Sequence, residues 1–215
     1  AWVDAAVETH GGIDVLYNNA SAQRFASLDD LTVADWDFTM RNELSIVFYT
    51  VKAAWPHLKA HGGGSIVNVG SISAVRGDGT VAYSAAKGAM LAMTIDMAYS
   101  HGRQGIRVNA VAPGHITTPM VLSVSAPGPR AEFMNTMRAQ AGLLGTAGTG
   151  WDVGWAAAFL ASDEARWITG VTLPVESGVL SVTPLMMAPH LRAVPTPVLC
   201  LTLTPVPSRP RSWSP

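Results

Sequence analysis

A tyrosine and a lysine four residues apart, in Tyr83-Ser84-Ala85-Ala86-Lys87, open a stretch of otherwise apolar sequence. In a helix, positions i and i+4 share a face, so a phenol and an ammonium would project side by side. A free phenol ionises near pH 10, roughly. A cation within several ångströms favours the phenolate and lowers that value, which makes tyrosine a usable acid or base near neutrality. The same spacing is common on solvated helices. What singles out this pair is that Lys87 interrupts an apolar helix, where an unpaired charge is costly. Ser71 precedes Tyr83 by 12 residues, just past a strand-like run. A hydroxyl there could hydrogen-bond a substrate oxygen that Tyr83 also protonates, although a lone serine is equally a turn residue.

The elements that must position these groups are legible as alternating patterns. Short runs rich in β-branched residues at 13–17 (IDVLY), 65–69 (SIVNV) and 106–111 (IRVNAV) predict strands buried on both faces of a parallel sheet. A fourth run, 171–175, contains Pro174 and is expected at a sheet edge. Helical patterns cover 33–60, with Thr32 as N-cap and Gly62-Gly63-Gly64 as terminator, then 82–101, stopped by Gly102 and Gly105, and 151–161. This alternation predicts an α/β fold of right-handed βαβ units. In such sheets ligands bind at the carboxyl ends of the strands. Those ends carry Asn18-Asn19-Ala20-Ser21, Gly70-Ser71 and Pro113-Gly114.

Composition narrows the setting. The 215 residues suffice for one domain with a sizeable core. Only 13% are charged, against roughly 25% in a typical soluble domain, which suggests a surface partly covered by partners. The 82–101 helix, with Ala85, Ala86, Ala89, Met90, Met93, Met97 and Ala98, is apolar nearly all round. It is expected to cover the sheet on one side and a second subunit on the other, burial by its own loops being the alternative. The 33–60 helix is expected to share in a homo-oligomer. A net charge of −1 gives no pointer to nucleic acid or an anionic membrane. No apolar run approaches the roughly 18 residues of a membrane span. The acidic start, Ala1 to Glu8, lacks the basic and apolar regions of a signal peptide, and the single Cys200 fits a reducing compartment. A cytoplasmic protein is expected. From Thr183 onward eight prolines fall among residues without Asp, Glu or Lys, so 183–215 is expected to be an extended or disordered tail.

Lesser signals have two readings each. His57 and His61 have helical ligand spacing but no third ligand nearby, so a solvated helix end is expected and no metal. His115 either faces the substrate or is an ordinary loop histidine. Met120, Leu122, Val124, Phe133, Met134 and Met137 lie in a long connection that is either an apolar lid or plain packing. No G-x-S-x-G elbow is present, which counts against a serine hydrolase.

The order NNAS, MRNE, SIVNVGS, YSAAK and IRVNAVAPGHITT resembles the motif order of short-chain dehydrogenases/reductases, and the resemblance covers residues 1–182. It implies a Rossmann-like parallel sheet with helices on both faces. It implies reversible hydride transfer between NAD or NADP and a small carbonyl/alcohol substrate. On the matching positions, Tyr83 would be the acid/base, Lys87 would lower its pKa and bind the nicotinamide ribose, Ser71 would orient the substrate oxygen, and Asn42 would join the proton relay. Asn18, Asn19, Ala20 and Ser21 would line the cofactor. Pro113, Gly114, Ile116 and Thr118 would hold its nicotinamide and phosphates.

Departures from the family pattern are equally specific. Only one helix's worth of sequence, Trp2 to His10, precedes the NNAS motif, so the expectation is an N-terminally truncated member missing the first βαβ units. These 215 residues would then bind NAD(P) weakly, and 13–17 would be an exposed apolar edge. The rival reading is a non-catalytic truncated or degenerate member that at most self-associates. Gly77-Asp78-Gly79-Thr80-Val81-Ala82 matches G-x-G-x-x-A but follows no strand, and Gly148 and Gly150 are expected in a loop, so neither is taken as a phosphate site. Ser21 replaces the family's usual glycine. Glu176-Ser177 replaces an Asp-Gly pair, so a positive φ at Ser177 would be strained.

Overall fold

A computed structural model describes residues 2–123 and 128–182. Val124 of the connection, Cys200 and the whole 183–215 segment lie outside the described residues. In chain order the elements are α1 (Trp2–His10), β1 (Val15–Asn18), α2 (Val33–Met40), α3 (Ile46–Ala60), β2 (Gly64–Val69), α4 (Val81–His101), β3 (Ile106–Pro113), β4 (Ile116–Thr117), α5 (Pro119–Ser123), α6 (Pro129–Gln140), β5 (Gly148–Thr149), α7 (Gly150–Ala161) and β6 (Thr172–Val175).

Four strands form one parallel sheet in the order β1-β2-β3-β6, and β4 pairs with β5 in a separate short ladder. Side chains alternate across the sheet. Ile66 and Val108 point into a core with Val47, Val51, Leu58 and Met90 from α3 and α4. Val67 and Val111 point into a second core with Val153, Ala157 and Leu160 from α7. Both faces are thus covered, as uninterrupted apolar strands require. The fold is α/β, as expected, and β6 takes the edge position that Pro174 permits.

β1 is the opposite edge. Leu16 is buried, whereas Val15 and Tyr17 on its other face are 44% and 43% exposed. The strand sits slightly C-terminal of the expected 13–17, since Val15 to Asn18 supply the ladder to Ser65 through Asn68.

Two expectations for the helices need correction. The predicted 33–60 helix is not one regular rod, because residues Arg41–Ser45 form a π turn between α2 and α3. Thr32 does cap its start, accepting from Asp35 N at 3.1 Å. Gly62, Gly63 and Gly64 follow its end, all at positive φ. The long connection after β3 is not a plain loop, since α5 and α6 occupy much of it. α4 covers the sheet on one side, as expected, and its other side is not buried by the chain's own loops. Ala82, Ala86, Met90, Thr94 and Ala98 face the core, while Ile95 and Tyr99 stand outside it.

Polar groups join the elements. Arg107 of β3 donates to the carbonyls of Leu160 at 2.7 Å, Ala161 at 3.2 Å and Ser162 at 3.0 Å, closing the C-terminus of α7. Buried Asn68 of β2 donates to Thr94 of α4 and accepts from Asn18, whose own oxygen accepts from Thr50 of α3. Ser177 has a φ of 59°, the left-handed conformation foreseen as strained. Its carbonyl accepts from Leu143 N and its hydroxyl from Leu144 N, contacts that hold it there.

Candidate active site

Tyr83 stands in the first turn of α4, with Lys87 one turn later on the same face, as the spacing predicts. Ser71 follows β2 in extended backbone and accepts from Ser73 N at 3.1 Å, capping a short 3-10 turn, Ile72–Ala74. Its side chain lines the same cavity as the Tyr83 phenol. The loop between them is held by Asp78, which accepts from Ser73, from Thr80 N and Oγ1, and from Ser84 at 3.3 Å. Burial pushes the Asp78 carboxyl up, but these hydrogen bonds outweigh it and hold the group below the usual aspartate value.

Lys87 is 3% exposed, and its ammonium does not pair with the phenol. It donates to Val69 O at 2.7 Å and lies 2.9 Å from Glu43 Oε2, with its nitrogen 5.5 Å from the Tyr83 ring centroid. Burial lowers its pKa, and the attraction of Glu43 opposes that shift. Lys87, already paired with Glu43, is not among the groups that shift the tyrosine. Tyr83 is pushed up to about 12, chiefly by burial. The Ser71 hydrogen bond works against the rise, and the negative charges of Glu43 and Asp78 add to it. The physical reason is charge compensation: the cation is already partnered by a carboxylate.

Glu43 is the residue that the sequence reading missed. It lies in the π turn and is 1% exposed. Its Oε1 accepts from Ser21 at 2.5 Å, while Oε2 takes no aligned hydrogen bond and is compensated by the Lys87 charge. Asn42, the expected relay residue, is turned away and donates to Phe38 O, one helical turn back, at 2.7 Å. Neighbouring positions on a helix face about 100° apart, so only one of the two can enter the site. A carboxylate directly beside the supposed relay asparagine was the available signal.

A cavity of about 340 Å³ opens at the carboxyl ends of β1, β2 and β3. Ser71, Tyr83 and Lys87 line it with Asn19, Ser21, Pro113, Gly114, Ile116 and Thr118, so the structure brings nine of the twelve predicted residues together and leaves Asn18, Ala20 and Asn42 outside. Asn18 and Ala20 instead line a separate hollow against α3. Met120 and Val121 of α5 close one side of the cavity, and Met120 Sδ accepts from Gln23 at 2.8 Å. His115 lies outside it, 3.3 Å from Arg76, in a larger hollow of about 460 Å³ that holds none of Ser71, Tyr83 or Lys87.

Gly148 belongs to β5 and Gly150 opens α7, rather than lying in a loop. That helix start is closed to an anion by its own carboxylate, since Asp152 accepts from Thr149 N at 2.6 Å. His57 and His61 each face one carboxylate, Asp4 at 3.3 Å and Asp14 at 3.2 Å. Among the described residues no group of three or more His, Cys, Asp or Glu could hold a metal, and no helix is long and apolar enough to cross a membrane.

The chain is similar to known proteins. Residues 1–180 match the family model described as Enoyl-(Acyl carrier protein) reductase. Cis-4-hydroxycyclohexanecarboxylate dehydrogenase of Sinomonas cyclohexanicum is 39% identical over 184 residues, covering 85% of this chain and 72% of that protein. The aldohexose dehydrogenase of Thermoplasma acidophilum, solved in ligand-free form, superposes with a TM-score of 0.80 at 29% identity, over 85% of this chain and 74% of that one. ElxO with NADP bound superposes with a TM-score of 0.77 at 28% identity, over 84% of this chain and 73% of that one. The chain spans about two thirds of the length of the curated relatives it matches, 66, 68 and 60% of three of them. With its parallel sheet, its serine–tyrosine–lysine cluster at the strand ends and a family match over nearly all the described residues, the chain belongs to the short-chain dehydrogenase/reductase family.

Proposed function

We propose that the protein carrying this chain is an NAD(P)-dependent oxidoreductase acting on a small carbonyl/alcohol pair, with Tyr83 as its acid/base. The observation that carries this reading is that Ser71, Tyr83 and buried Lys87 line one cavity at the strand ends.

The cavity fits the nicotinamide end of such a cofactor. Polar groups of Asn19, Ser21, Thr118 and Lys87 surround it, with Pro113 and Gly114 at the strand end. Bound there, the nicotinamide supplies or accepts the hydride. Ser71 holds the substrate oxygen by its hydroxyl, which fixes that oxygen within reach of the phenol. In reduction, Tyr83 gives its phenolic proton to the oxygen as negative charge develops there. In oxidation, the phenolate takes the hydroxyl proton. Lys87 offers a cation to the ribose hydroxyls and to the phenolate once formed. The apolar side chains of Met120 and Val121 exclude water from one wall, which suits an apolar substrate. In the same reading, the exposed outer residues Phe48, Tyr49, Ile95 and Tyr99 of α3 and α4 meet a second copy of the chain.

The test is Tyr83→Phe in the full-length protein, with NAD(P)H consumption measured across a panel of small carbonyls. Turnover should fall by a factor of about 10³ or more while cofactor binding persists, since the substitution removes only the transferable proton. Turnover retained within tenfold would exclude Tyr83 as the acid/base.

A further inference from the structure

The proton-transfer scheme leaves one buried titratable group without a task, the carboxylate of Glu43. We propose that Glu43 is a positioning residue that keeps Lys87 in its ammonium form within a site that strips the lysine of its hydration. The inference rests on the reading of Tyr83 and Lys87 as the proton-transfer pair.

Three observations converge on it. Lys87 is 3% exposed and Glu43 1%, so neither charge is solvated by bulk water. The ammonium has two partners, the carbonyl of Val69 at 2.7 Å and Glu43 Oε2 at 2.9 Å. The carbonyl contributes a dipole, whereas the carboxylate contributes the full compensating charge. Ser21, from the segment after β1, donates to the second carboxylate oxygen and so fixes the first toward the lysine.

The π turn is what makes this contact available. Such turns insert an extra residue into a helix and are frequent at functional sites. Here the turn carries Glu43 inward and leaves Asn42 bonded to its own helix. An asparagine amide in that place would offer a dipole and no charge.

The groups facing the lysine come from each element packed around it. Glu43 comes from the π turn, Tyr83 from α4 itself, the Val69 carbonyl from β2, and Ser21 behind the carboxylate from the segment after β1. Asp78, in the loop before α4, acts on Tyr83. Removing the Glu43 charge therefore leaves desolvation of Lys87 opposed by a single carbonyl, and the amine becomes the favoured form at a lower pH.

Glu43→Ala would also remove buried volume, so the test uses the near-isosteric Glu43→Gln, with Glu43→Asp as the conservative control. In the full-length enzyme, kcat/KM is measured against pH, with cofactor KM and thermal melts recorded alongside. Glu43→Gln should move the alkaline limb down by about one pH unit or more, a tenfold loss of kcat/KM at fixed alkaline pH. Glu43→Asp should restore the limb. An unmoved limb in a folded Glu43→Gln enzyme, with Tyr83→Phe inactive in the same assay, would overturn this role and leave the tyrosine assignment standing. Turnover retained by Tyr83→Phe would withdraw both. A second measurement does not depend on the Glu43 variants folding, namely the side-chain nitrogen resonance of Lys87 in the wild-type protein, assigned with Lys87→Arg. A charged ammonium at neutral pH supports the inference, and a neutral amine overturns it.

Discussion

Tyr83 sits in surroundings that favour its proton, and this fixes the sign of its pH behaviour. Burial drives the phenol up to about 12, the Ser71 hydrogen bond opposes that, and Glu43 and Asp78 reinforce it. As a proton donor it is fully charged with its proton at every physiological pH. As a base it must first ionise, and the phenolate fraction grows tenfold for each pH unit below the pKa. Alcohol oxidation should therefore climb from neutral into alkaline pH, while carbonyl reduction stays level up to the pH at which Lys87 loses its proton. Initial rates in both directions, measured at saturating cofactor, check this. A plateau of oxidation at neutral pH would contradict it. The Glu43–Lys87 pair belongs to the same scale: a buried charge pair contributes little net stability when intact, yet loss of one partner costs about 3–5 kcal/mol.

Elements are held in place by side chains that close exposed ends of the backbone. The last carbonyls of α7 have no partner within their own helix, and Arg107 satisfies three of them from the neighbouring strand. The guanidinium also sits at the negative end of the helix dipole. Arg107→Ala should destabilise the protein by about 2 kcal/mol, since several charge-assisted bonds to partly buried carbonyls are lost together. Urea unfolding would register this as a lower midpoint at unchanged slope. A midpoint equal to wild type would show that water replaces the guanidinium at no cost. On the first strand, by contrast, Asn18 is spent on structure, joining Asn68 to Thr50. That use explains why it does not reach the cavity alongside Asn19 and Ser21.

At the scale of the whole molecule, the uneven cover on the sheet has a consequence for association. α7 covers β2 and β3, but the outer face of β1 keeps Val15 and Tyr17 half-exposed beside an apolar hollow lined by Val67, Gly154 and Ala157. A parallel strand with an open edge and an apolar face pairs readily with other chains. The 215-residue polypeptide should associate as its concentration rises, and Val15→Lys should suppress this without lowering the melting temperature. Light scattering across a concentration series decides it, and wild-type scattering that stays monomeric would refute the edge as an adhesive surface.

Much of this protein was legible in local sequence. The β-branched runs, Pro174, the Thr32 cap and the stopping glycines each act through their own backbone neighbourhood, so their consequences follow from residue type and spacing. The Tyr83–Lys87 spacing belongs to the same class, because a single helix turn relates the two side chains. Which residue partners Lys87 was decided only by tertiary structure. The π turn at Arg41–Ser45 interrupts the regular register that the 33–60 pattern predicts, placing Glu43 rather than Asn42 against the lysine. The direction of the tyrosine shift was decided there too. The helix spacing supplies a cation next to a phenol, but burial and a carboxylate from a distant segment determine what that cation does.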